Sequence, residues 1–73
     1  MIKNKKEALS YIYGVPTHLI YDISPNKYRI GARQYRVYNF KEYNDIVEHY
    51  GSCPCDYTIS QGYETYFISK IQD

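Results

Sequence analysis

The sequence predicts a small α+β domain: two short helices packed on an antiparallel sheet of four or five strands, in a helix-hairpin-helix-hairpin, αββαββ-like order. Three observations carry this expectation. Two segments share one helix grammar, in which an asparagine opens, a glutamate follows three residues later and a glycine closes. Between and after those segments the apolar period falls from helical spacing to two. Finally, 73 residues supply one hydrophobic core and no second one, so residues 1–73 read as a single domain.

The first helix runs from Asn4 to Gly14. Asn4 caps the first turn, Glu7 returns the bond, and Gly14 ends the helix before Pro16 blocks any continuation. Its apolar stripe is Ala8, Leu9 and Ile12, flanked by Tyr11 or Tyr13. The second helix runs from Asn39 to Gly51, with Phe40, Tyr43, Ile46, Val47 and Tyr50 at helical spacing on one face. Tyr38, just ahead of the cap, is placed to pack on Tyr43 as a hydrophobic staple.

Strands fill the rest. Thr17 to Ile23 alternates, with Leu19, Tyr21 and Ile23 on one face, and Ser24-Pro25-Asn26-Lys27 makes a turn. The return strand begins at Tyr28 and reaches Ile30. The alternation slips at Gly31-Ala32, either as a bulge or as a break before a separate strand from Arg33 to Tyr38. A Cys-Pro-Cys connection leads to a strand at Asp56 to Ser60, a turn at Gln61-Gly62 and a long strand from Tyr63 to Ile71. Tyr21-Asp22-Ile23-Ser24 and Tyr57-Thr58-Ile59-Ser60 echo each other before their turns, so residues 4–38 and 39–73 read either as an internal repeat or as chance reuse of favoured turn and cap residues.

Composition narrows the function classes. Eleven tyrosines and two phenylalanines, with no tryptophan, favour positions that are half packed and half wet, as in a thin sheet or a recognition surface. No apolar run has the length of a signal sequence or a membrane span, so a cytoplasmic setting without membrane contact is expected. Cys53 and Cys55 are separated only by Pro54, which is too close for an unstrained disulfide. With His49 and His18 they suggest zinc, but one intervening residue is not knuckle spacing, so no metal and no cofactor are expected.

Charge is divided along the chain. Residues 1–38 sum to +5 and residues 39–73 to −4, within a total of +1. The basic half centres on a strand bearing Lys27, Tyr28, Arg29, Arg33, Tyr35 and Arg36, on which Arg29, Arg33 and Tyr35 share a face in the absence of a bulge. Guanidinium groups beside tyrosine rings suit single-stranded nucleic acid. The acidic half centres on the second helix, where Glu42, Asp45 and His49 form a ridge with Glu48 beside it and Asp56 and Glu64 beyond. Such a ridge imitates a row of phosphates, with Tyr43 or Tyr50 as edge anchors.

Leu19-Ile20-Tyr21 and Arg29-Ile30-Gly31 faintly resemble the paired strands of GIY-YIG endonucleases over about fifteen residues. Leu19 stands where that family has a glycine and Arg29 where it has a tyrosine, and the downstream arginine and metal-binding glutamate have no counterpart. No serine-histidine-acid grouping, phosphate loop or metal-spaced carboxylate cluster is present, so no enzyme is expected. Size, composition and the lack of catalytic groups resemble small phage-encoded proteins that disable host defence or replication enzymes, anti-CRISPR proteins among them. That resemblance implies an inhibitory protein whose partner is a host protein, met through Glu42, Asp45, Glu48, Asp56, Tyr43 and Tyr50. The alternatives are a nucleic-acid-binding module using Lys27, Tyr28, Arg29, Arg33, Tyr35 and Arg36, and a homodimer built on its charge poles or a free strand edge.

Overall fold

The structure is a computed structural model and describes residues 2–62 and 64–71. The elements run α1 (Lys5–Tyr13), a 3-10 turn (Thr17–Leu19), β1 (Ile20–Ser24), β2 (Lys27–Ile30), β3 (Arg33–Asn39), α2 (Phe40–Tyr50), β4 (Tyr57–Ser60) and β5 (Thr65–Ile71). The fold is α+β, as the sequence predicts, with two helices on one antiparallel sheet of strand order β1-β2-β3-β5-β4; the expected helix-hairpin-helix-hairpin order is corrected, because three strands and not two lie between the helices.

Both helices begin and end as their sequences dictate. The Asn4 side chain accepts the Glu7 N–H at 2.9 Å, and Asn39 accepts that of Glu42 at 2.9 Å. Glu42 returns the second bond by accepting the Asn39 N–H at 2.9 Å, which completes a capping box. Gly14 and Gly51 close the helices at φ +68° and +84°. A Cβ at either would meet nothing within 4 Å, so the left-handed backbone and not crowding requires glycine there.

Two local details differ from expectation, and a third decides between two open alternatives. Thr17 to Leu19 forms a 3-10 turn after Pro16, closed by the Leu19 N–H on the Pro16 carbonyl at 3.0 Å, so the strand starts only at Ile20. Gly31-Ala32 is a full turn, Gly31 having φ +60°, and Arg33–Asn39 is therefore a strand of its own. Tyr43 stacks on Phe67 at 3.9 Å between ring centroids, which replaces the expected staple against Tyr38. The Tyr63 start expected for the last strand lies outside the described residues.

Strand alternation assigns the two helices to opposite faces of the sheet. Val37 opposes Ile68, and both lie wholly buried beneath Ala8 and Leu9 of α1. Ile20, Tyr35, Ile59 and Tyr66 complete this core, joined by Ile2 from the N-terminal segment. The next pair along, Tyr38 opposite Phe67, projects to the other side, where α2 lies. Here Tyr43, Ile46 and Val47 are half buried, whereas Phe40 and Tyr50 are 57% and 81% exposed, so only the middle of the expected apolar stripe is packed.

The α1 side carries one unsatisfied group. The Tyr13 ring lies 4.6 Å from the Tyr35 ring and 5.7 Å from that of Tyr57, and its buried hydroxyl has no partner among the described residues. Burial, with smaller contributions from Tyr35, Tyr57 and Asp56, pushes the phenol up to about 12. A raised folded value favours the neutral form. The associated stability is intact below the unfolded value near 10 and is lost as pH climbs toward about 12. Tyr13→Phe removes the orphan hydroxyl and is expected to stabilise the chain by about 1 kcal/mol in urea unfolding at neutral pH. It should also make the alkaline loss of stability shallower; a destabilised variant with an unchanged alkaline profile would contradict this.

Candidate binding surface

The basic segment divides by strand register. Lys27 opposes Arg36, Tyr28 opposes Tyr35, Arg29 opposes Gln34 and Ile30 opposes Arg33. Tyr28, Arg33 and Tyr35 thus project to the α1 side, and Lys27, Arg29 and Arg36 to the other. The expected grouping of Arg29 with Arg33 and Tyr35 is corrected: the turn at Gly31-Ala32 restarts the alternation, so Arg33 does not follow Arg29 on its face. Tyr35 is a core residue with 5% of its surface exposed, which leaves no ring face for stacking. Tyr28 is half buried beside the N-terminal end of α1, where burial, with Asp22, Glu42 and Tyr66 adding to it, pushes its phenol up.

The face that collects Lys27, Arg29 and Arg36 is half open. α2 lies over β3 and β5, whereas above β1 and β2 Tyr21 and Ile23 are 49% and 44% exposed. Tyr21 opposes Arg29, whose guanidinium carbon sits 4.7 Å from the Tyr21 ring centroid. Arg29 also donates to the Gly31 carbonyl at 2.7 Å, which fixes its orientation along the strand. Among the described residues, neither ion pair uses Lys27, Arg29 or Arg36. Tyr21 is not among the binding residues expected from the sequence; the 21↔29 register is the signal that reveals it.

The acidic ridge is largely spent on structure. Glu42 closes the α2 cap and pairs with Lys5 at 2.8 Å. Asp56 accepts the Lys70 N–H at 2.6 Å and so fastens the connection after α2 to β5. Tyr43 is held against Phe67. Asp45, Glu48, His49 and Tyr50 remain exposed; the His49 ring nitrogen lies 2.8 Å from the Asp45 carbonyl, and Glu48 accepts from Asn44 at 3.4 Å.

Cys55 turns its thiol onto the carbonyls of Tyr57 and Ile68, at 2.9 and 3.7 Å, so it serves as a small donor that holds the loop. Burial pushes the Cys53 thiol up, with Cys55 adding to this and Arg36 opposing it. Among the described residues, no three His, Cys, Asp or Glu side chains are grouped to hold a metal, and no helix is long and apolar enough to cross a membrane. A hollow of about 830 Å³ beside the start of α1 is lined by Lys3, Lys6, His18, Asp22 and Tyr28. Its charges are partly matched internally: Lys6 meets Asp22 at 3.6 Å, and Glu7 accepts the Lys3 N–H at 3.2 Å.

Lys5 joins the two faces. Its ammonium reaches past the tip of the β1–β2 hairpin, bonding the Asn26 side chain and Glu42 together. Burial pushes the Glu42 carboxyl up, but the Asn39 N–H, the Lys5 ammonium and the Asn26 side chain outweigh it and hold the group below its ordinary 4.5. A lowered carboxyl stabilises the fold above its unfolded value, and that contribution is lost as pH falls through the folded one. Lys5→Met keeps the aliphatic stem and removes the charge. It is expected to cost about 1 kcal/mol at neutral pH and to flatten the stability profile between about pH 6 and about pH 3. Identical profiles for the two proteins in chemical unfolding would show that the contact contributes nothing.

No family model, curated protein or solved structure matches this chain, so the chemistry of the surface is read from its own residues.

Proposed function

We propose that the chain is a small non-enzymatic binding module that docks single-stranded nucleic acid on the open half of its sheet, through Tyr21, Lys27, Arg29 and Arg36. The observation that supports this most is the convergence of three cations, none in an ion pair among the described residues, on an uncovered face beside an exposed ring. Guanidinium and ammonium groups meet phosphates, while a half-exposed tyrosine offers a surface on which any base stacks. A sheet face of this kind suits unpaired bases, which splay out onto it, better than the closed stack of a duplex. The inhibitory reading through α2 keeps Asp45, Glu48 and Tyr50, exposed and, among the described residues, free of structural bonds to other elements, while Glu42, Asp56 and Tyr43 are engaged in the fold.

Fluorescence anisotropy with a labelled single-stranded oligonucleotide tests the proposal. Three phosphate contacts give a salt slope near −2, so raising salt from about 50 to about 200 mM should weaken binding roughly twentyfold. Arg29→Glu combined with Arg36→Glu should abolish binding while thermal unfolding stays cooperative. Binding that is absent, or that persists unchanged in the double variant, would overturn the proposal.

A further inference from the structure

Where the open face meets α2, a cleft of about 480 Å³ lies between the C-terminal turn of α2, the sheet and the connection that follows Gly51. Its lining includes Tyr38, Ile46 and Tyr50, which make an apolar and aromatic slot, with Arg36 on the platform side. Tyr50 is 81% exposed, the highest value among the exposed large apolar side chains described, so its ring is open to a flat partner. Asp56 and Ser69 stand in the same wall. One Asp56 oxygen accepts the Lys70 N–H at 2.6 Å, and the other has no protein partner among the described residues.

This combination has a chemical meaning. A planar ring seated between tyrosines presents its edge to the wall, and an ionised carboxylate there only accepts hydrogen bonds. An edge bearing an amino group supplies the donor, whereas a carbonyl at the same position sets oxygen against oxygen. Cytosine and uracil differ on this edge at two adjacent positions, amino beside a bare ring nitrogen against oxo beside a ring N–H, so an acceptor facing the first position meets a donor in cytosine and an oxygen in uracil. A slot of this volume lies within the range that holds a small organic ligand.

Resting on the reading of the platform above, we infer that this cleft receives one base of the bound strand and selects a base with an amino group at that edge position, as in cytosine, over one with an oxo group there, as in uracil. Tyr38 and Tyr50 stack on the base, the free Asp56 oxygen accepts from its amino group, and Arg36 holds the adjoining phosphate at the entrance. The cleft thereby adds base choice to a platform that alone reads only charge and stacking.

Oligodeoxycytidylate and oligodeoxyuridylate of equal length provide the test. The wild-type chain should bind the cytosine strand about tenfold more tightly. Asp56→Asn keeps an acceptor for the Lys70 N–H but offers the base a donor as well, and should bring the two affinities within about twofold, chiefly by gain for the uracil strand. Tyr50→Ala should weaken the cytosine strand about tenfold and leave salt-sensitive binding on the platform. Equal affinity in the wild type, or a preference unchanged in Asp56→Asn, would overturn the cleft while leaving the platform intact. Should neither strand bind, the platform fails, and cytidine monophosphate then tests the cleft alone. Shifts of the Tyr50 and Ser69 amides with that nucleotide and not with uridine monophosphate would sustain the cleft, and their absence would overturn it.

Discussion

The β3–β5 pairing runs from Gln34 opposite Ile71 to Asn39 opposite Tyr66, and both strands face helices on two sides. Their alternation sends Val37 and Ile68 to α1 and Tyr38 and Phe67 to α2. A slip of one residue in either strand would move its buried side chains to the wrong helix, because the side-chain period of a strand is two. It would also drive Arg36 toward the core that Val37 fills. The register of this pair therefore fixes which face is closed, which is half open and which charges the open half carries.

Helix width explains why closure stops halfway. α2 packs on β3 and β5, and one helix with its side chains is only about 10–12 Å across. β1 lies two strand spacings, or roughly 10 Å, beyond β3, outside its reach. The connection after Gly51 then returns at once to β5, where Asp56 and Cys55 bond its backbone. Tyr21 and Ile23 on the outer strand therefore stay about half exposed. At the other end, Lys5 ties the hairpin tip and the start of α2 together, so the uncovered strands stay in line with the covered ones.

Local signals in the sequence were legible because they act locally. The asparagine-glutamate-glycine pattern marks both helices, and Pro25-Asn26 marks a turn in which Asn26 adopts φ +65°. The face of each strand residue was harder to read, since a turn at Gly31-Ala32 in place of an unbroken strand puts Arg29 and Arg33 on opposite faces. Two carboxylates illustrate a second limit. Glu42 and Asp56 look like free surface charges in the sequence, yet each is bound to a group far along the chain, Lys5 and the Lys70 backbone. Spacing on a helix reveals exposure toward its own neighbours and not contacts made by distant elements. Tyr21 shows the converse: its value lies in the residue opposite, and cross-strand partners become visible only once register is known.

The claim that the open half of the sheet is the docking surface meets its most direct test in amide NMR during titration with a single-stranded oligonucleotide. The account expects the largest shifts at Tyr21, Lys27, Arg29, Gln34 and Arg36, with Asp45 and Glu48 on the outer side of α2 unmoved. Shifts concentrated at Asp45 and Glu48 or in the hollow around Lys3 and His18, with the β1–β2 face silent, would contradict it.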